Sequence, residues 1–243
     1  MKDIIQLFEN VVNSLNNEIT INSIGDVTDG KSTISISCLK WLRAASGLNS
    51  QVDISGVVYE VVEIVDSQTI KVKTNIKPIG KVLKITRPLF LNATMLKALS
   101  ERESILDNTG KLRKDSWQKL PFIWLLEPFN TNENKDIRAM VESSPDVVFL
   151  FLDGASPNDW TTKQHYSNVI NPIDSLVDAF VNYIVSNKKD FGSISNFRKV
   201  RHANFGEQFK QGHLQSILNE KLSGIEVRFS VEVRKDLKCN NCN

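Results

Sequence analysis

The chain has 243 residues, 41% of them hydrophobic, and its 30 lysines and arginines stand against 28 acidic residues for a net charge of +2. That is enough apolar content for an ordinary core, and too balanced a charge to point to nucleic acid or an anionic membrane as partner. No apolar run approaches the ~20 residues that span a bilayer, the start Met1-Lys2-Asp3-Ile4-Ile5 lacks a signal peptide's apolar core, and three cysteines are too few for a disulfide framework, so a soluble product, intracellular where it is made, is expected.

In chain order, residues 3–16 place Ile4, Phe8, Val11, Val12 and Leu15 on one face and predict an amphipathic helix. From Glu18 to Arg87 the apolar period changes from about 3.6 to 2. Ile19-Thr20-Ile21, Thr33 to Cys38, parts of Val57 to Val65, Thr69 to Lys73 and Lys81 to Ile85 read as four or five short strands of a small twisted sheet or partly closed barrel. Asp66-Ser67-Gln68 is short enough for a hairpin turn, and Leu39 to Ser46 is a candidate short helix. Ala93 to Ser104 suits a helix, followed by a turn at Asp107-Asn108-Thr109-Gly110.

Leu120 to Phe129 and the continuous apolar run Val147 to Leu152 read as buried strands. Asn171 is placed to cap a helix, Pro172 has φ preset for a first turn, and Asp174 suits the positive end of the dipole. Ile173, Leu176, Val177, Phe180 and Ile184 then form its apolar stripe. Asn187 to Gly212 has aromatic residues without steady period and reads as a long ordered loop. Leu214 to Leu222 reads as a short helix ending at Gly224, and Ile225 to Val233 as a half-buried strand joining the central sheet. The expected fold is α+β. A mixed or antiparallel central sheet with packed helices occupies 91–243, a β-rich, barrel-like subdomain occupies 18–90, and the N-terminal helix occupies 1–17; a single compact unit is compatible with this division.

One stretch carries a chemical motif. Gly25-Asp26-Val27-Thr28-Asp29-Gly30-Lys31-Ser32 satisfies G-x-x-x-x-G-K-S, in which backbone amides wrap nucleotide phosphates, Lys31 reaches the terminal phosphates and Ser32 holds magnesium. Asp153, closing the run 147–152, would be the second acid near the metal. That loop works because a helix begins at its end, whereas Lys31 here leads into alternating, β-branched Ser32 to Cys38. Asp29-Gly30 between two alternating runs is also a strong hairpin signal. The hairpin is the expected structure, and nucleotide binding through Gly25, Gly30, Lys31, Ser32 and Asp153 is the alternative.

Other constellations point to no catalytic residue, cofactor or metal. His165, His202 and His213 lack metal-binding spacing, and Glu101 and Glu103 fall on an exposed helix face. Cys239-Asn240-Asn241-Cys242 has half-site spacing but reads as a tail, Arg198 to His202 reads as a solvated basic face, and Trp124 reads as core, with Trp117 and Trp160 open.

The order of elements resembles that of neck and tail-terminator proteins of tailed bacteriophages. It comprises an N-terminal helix, a β-rich insertion, the Leu120-Pro121-Phe122-Ile123-Trp124-Leu125 strand, Val147 to Leu152, and a helix preceded by Tyr166 to Pro172. The close Leu222 to Phe229 with its cysteine-bearing tail resembles those of phages that infect Bacteroidetes, including the crAss-like group. The resemblance implies a non-enzymatic virion protein forming a homo-oligomeric ring of six or twelve copies that joins head and tail components, with DNA only passing through its lumen. Contacts would then come from the loops 130–144 and 154–166, the aromatic segment 191–209 and the tail from Lys235. The β-rich part is large for a minimal terminator, which leaves another ring of the neck or tail open.

Overall fold

The computed structural model describes residues 4–44, 49–93, 120–127, 130–135, 140–155, 161–202, 207–210, 213–216 and 222–236. Two sheets organise them, and both follow from alternation in the sequence. In the first, β1 (Glu18–Thr28), β2 (Lys31–Ile36), β3 (Gln51–Ile54), β4 (Val57–Asp66), β5 (Thr69–Lys73) and β6 (Val82–Ile85) close into a barrel of order β1-β2-β5-β4-β3-β6. Every pairing around it is antiparallel. Ile19, Ile21, Ile34, Ile36, Val52, Ile54, Ile70, Val72, Leu83 and Ile85 fill its interior because successive side chains on a strand face opposite ways.

The strand that closes the barrel, β3, is only four residues long and is the one the sequence pattern does not reveal. The Ser67-Gln68 turn is a hairpin as expected, with Asp66 Oδ1 accepting from the Gln68 amide at 2.7 Å. No helix forms over residues 39–44, contrary to expectation. Lys40 takes φ +48°, and its Nζ donates to the carbonyls of Asn16 and Glu18 at 2.6 Å, so long-range bonds hold this segment in place of helical ones.

The second sheet has order β11-β14-β10-β8-β7 and is the central sheet. β7 (Leu89–Ala93) runs parallel to β8 (Phe122–Leu126), and all other pairs are antiparallel. Its spine is the ladder of β10 (Met140–Gly154) with β14 (Leu222–Asp236), fifteen residues each and about 50 Å long. β8 and β9 (Asn130–Lys135) follow one another along the same edge of β10, β8 against Phe149 to Leu152 and β9 against Val141 to Asp146. The segment 130–144, expected as a loop, is therefore mostly a β-hairpin that extends the sheet.

The stretch 187–212 also departs from its reading as a loop. It contains β11 (Phe191–His202) on the sheet edge and β12 (Glu207–Lys210), which pairs with β13 (His213–Ser216). Two register shifts, with Asn196 at φ +56°, break the alternation of β11 and hide its period. In place of a helix over 214–222, β13 and the start of β14 are found. Gly224 does not cap a helix; it is the third residue of β14, opposite Leu152, where a Cβ would stand 1.9 Å from the Phe151 carbonyl oxygen.

Helices cover one face of this sheet. α1 (Ile4–Asn13) lays Phe8 edge-on to Phe149 at 4.9 Å and stacked on Phe191 at 5.8 Å. A second helical segment runs as α2 (Thr162–His165), a π turn over Tyr166–Ile170, and α3 (Asn171–Ser186), whose Phe180 meets Phe149 and Phe151 at 5.0 and 5.3 Å. The expected stripe of Ile173, Leu176, Val177, Phe180 and Ile184 is buried as a set. Asn171, however, is not the cap. The helix already runs through it, and the cap is Thr161, in a capping box with Gln164. The π turn directly before Pro172 accommodates a residue that cannot donate to the preceding turn.

The architecture is α+β, a closed six-stranded barrel beside a mixed sheet with packed helices. The barrel is inserted between α1 and β7, and one buried cluster runs through the interior of both. A second cluster, Leu120, Phe122, Trp124, Leu150, Leu152 and Leu222, holds Trp124 in the core as expected. The helix expected over 93–104, the turn at 107–110, Glu101, Glu103, Trp117, Trp160, Cys239 and Cys242 lie outside the described residues, apart from Ala93, which ends β7.

Candidate functional site

The motif residues build upward from a turn. Thr28 and Lys31 are register partners, so Asp29 and Gly30 form a two-residue hairpin loop with φ +52° and +70°, left-handed at both positions as a type I′ turn requires. Lys31 therefore opens a strand. Neighbouring residues of a strand point to opposite faces: Lys31 is exposed, while Ser32 is fully buried and its Oγ donates to the Gly25 carbonyl at 2.9 Å. The two side chains that would have to converge on one phosphate diverge, and no helix N-terminus stands behind them. Gly25, Gly30, Lys31 and Ser32 thus share a hairpin. Nearby, Lys77 pairs with Asp26 at 2.7 Å and holds that carboxyl below its ordinary range.

Asp153 lies elsewhere. β2 carries the chain roughly 17 Å from Lys31 before the connection that contains Arg43, and it is Arg43 Nη1 that forms an ion pair with Asp153 Oδ1. Both side chains are almost wholly buried. The Gly154 amide also donates to Oδ1, at 2.8 Å. Complete burial raises the Asp153 pKa, with Arg43 and the Gly154 amide pulling against it. The Arg43 segment is itself fastened: the Arg43 amide donates to Ser50 Oγ and the Ser50 amide to the Arg43 carbonyl, each at 3.0 Å. Beside it, Trp41, Ser50, Thr86 and Pro121 help line a cavity of about 10 Å³, room for one water at most. Asp153 therefore joins the barrel to the central sheet. Sequence reasoning missed Arg43 because nothing local distinguishes it from a surface arginine.

Two surfaces remain. On the edge of the central sheet, Lys199 of β11 bridges Asp174 and Asp178 of α3 at 2.8 and 2.6 Å, and Arg201 approaches Asp174 at 3.7 Å. Burial pulls the Lys199 pKa down, but the two aspartates more than offset this and hold it above its ordinary value. The basic stretch 198–202 is in part neutralised from within, with His202 at 3.2 Å from Glu226, and Phe197 and Val200 are exposed among the charges. The other surface is the barrel end that carries the Asp29-Gly30 hairpin, where Val57, Val58, Ile76, Ile79 and Val82 are exposed.

Among the described residues, no group of three or more His, Cys, Asp or Glu side chains converges as a metal site, and no helix is long and apolar enough to cross a membrane. Comparison with family models, with curated proteins and with solved structures found no match to this chain.

Proposed function

We propose that this chain is a structural virion protein that assembles with copies of itself into a ring of six or twelve subunits in the neck or tail of a tailed phage, joining head and tail components. The observation that carries the reading is the β10–β14 ladder, which continues beyond β8 as a ribbon flanked by β9. In this part of the sheet β9 is an edge strand, and its outer side offers backbone donors and acceptors to a neighbouring subunit. β11, on the opposite edge, adds a second such strand, broken by bulges and lined with charge, which favours a specific partner over indiscriminate pairing. In this reading the lumen passes DNA without reading its sequence, and no cofactor takes part.

The test is light scattering across a concentration series together with negative-stain imaging. The expected outcome is a mass of six or twelve chains and annular particles. A chain that stays monomeric at high concentration and also fails to co-purify with neighbouring tail components rejects the proposal.

A further inference from the structure

The barrel end farthest from the Arg43 connection holds the two most exposed large apolar side chains among the described residues, Ile79 at 83% and Ile76 at 78%. Val57, Val58 and Val82 join them, at 53%, 53% and 38%. The five belong to one end because the strands put them there. Ile54 pairs with Val57 on one side and with Leu83 on the other, and the segment from Thr74 to Lys81 crosses from the end of β5 to the start of β6. A Cβ on Gly80 would meet Ile54 Cγ2 at 2.7 Å and Ser55 Oγ at 2.9 Å, so the backbone beside Ile79 lies directly on the β3–β4 turn.

This segment is held firmly. The Thr74 amide donates to the Gly30 carbonyl at 2.9 Å, the Ile21 amide to the Lys81 carbonyl at 2.9 Å, and the Ile76 amide to Thr74 Oγ1 at 3.1 Å. Lys77 is tied to Asp26, and Pro78 between the two isoleucines is buried. Apolar side chains displayed from a fixed backbone lose little freedom on docking, which is the condition for a preorganised contact.

We propose that this barrel rim is a contact between two copies of the chain, meeting rim to rim about a twofold axis. The inference rests on the reading that the chain assembles with itself, and adds the surface. In a ring it would pair one ring with a second face to face, converting six subunits into twelve. A copy is the occupant favoured by charge. The rim carries lysines 31, 73, 77 and 81 against aspartates 26, 29 and 53, so it nearly cancels its own charge, and each sign finds its opposite on an identical rim. A strongly acidic protein or an anionic bilayer would meet the exposed carboxylates of Asp26 and Asp29. The five side chains expose the equivalent of about three whole apolar residues, and a twofold contact doubles that into the apolar centre of an interface with a polar border.

The experiment uses the full chain. Sedimentation velocity compares the wild type with Ile76→Lys/Ile79→Lys, both changes lying at exposed positions, with circular dichroism and thermal melts confirming an unchanged fold. In parallel, Ile79→Cys is oxidised in a background where Cys38, Cys239 and Cys242 are serine. The expected result is a wild-type mass at least halved in the double lysine variant, and a disulfide-linked dimer from Ile79→Cys. Equal assembly of wild type and double variant, with no crosslink, overturns the rim contact and leaves the ring standing. A monomeric wild type with no crosslink overturns the rim contact as well, while the ring is judged by imaging in the presence of neighbouring tail components. Binding to vesicles of anionic phospholipid that an Ile76→Ser/Ile79→Ser variant loses, without self-association, overturns it in favour of a lipid surface.

Discussion

Arg43 and Asp153 show what a single pair can do when both partners leave water. Desolvating two charges costs several kcal/mol each, and their attraction repays this only in part, so removing one partner exposes the full penalty on the other. Arg43→Met should destabilise the fold by about 3–5 kcal/mol in a urea melt. The linkage sign follows from the raised Asp153 pKa. The folded protein binds this proton more tightly than the unfolded chain does, so the ionised carboxyl costs stability above the folded pKa, and the cost is relieved as pH falls toward the ordinary 3.8. The deficit of Arg43→Met should accordingly narrow on acidification. Asp153→Asn leaves the Arg43 guanidinium, which cannot neutralise, buried and unpaired, and should likewise cost about 3–5 kcal/mol. Deficits of both variants that do not vary with pH would show that the two side chains matter only for packing. Gly224 makes a separate case. A methyl there would collide with the Phe151 backbone, which cannot rotate away, so Gly224→Ala should cost about 3 kcal/mol or more, or leave the protein insoluble. The sequence contains both residues but not their roles, because each role depends on an atom contributed by a strand many positions away.

Elements were legible where their apolar period survived folding intact. α1, the stripe of α3, β10 and β14 follow their patterns, and the Asp29-Gly30 hairpin follows from two residues that tolerate positive φ. β11 was hidden by its own bulges, and β3 by its length. The capping of the main helix is a clean test of the difference. Sequence favours Asn171 as the cap, whereas the structure places the cap at Thr161 and runs the helix through Asn171 by a π turn. Thr161→Ala should cost about 1 kcal/mol in thermal or chemical denaturation, and Asn171→Ala less than about 0.5 kcal/mol. The reverse order would place the true start of the helix at Asn171.

At the scale of the whole molecule, barrel and central sheet are not separate bodies energetically. One buried cluster includes Ile36, Trp41 and Ile85 from the barrel side with Phe149, Phe180 and Val227 from the other, and the Arg43–Asp153 pair joins the two. A shared core cannot be lost in halves without exposing apolar surface on the remaining half. Calorimetry should therefore record one transition, with calorimetric and van't Hoff enthalpies equal. Two resolved transitions would show that the barrel unfolds alone.

The sequence by itself determined the fold class, the alternation that builds a barrel over residues 18–87, and the helical stripes that cover the central sheet. It did so because side-chain periodicity is a local property that burial only has to read. Whether the small sheet closes was a tertiary matter, settled when Gln51–Ile54 found β4 on one side and β6 on the other. So was the fate of the phosphate-loop letters. Strand alternation turns Lys31 and Ser32 to opposite faces, and Arg43 draws Asp153 into the junction between barrel and sheet, so the residues that spell a site in one dimension are held apart in three.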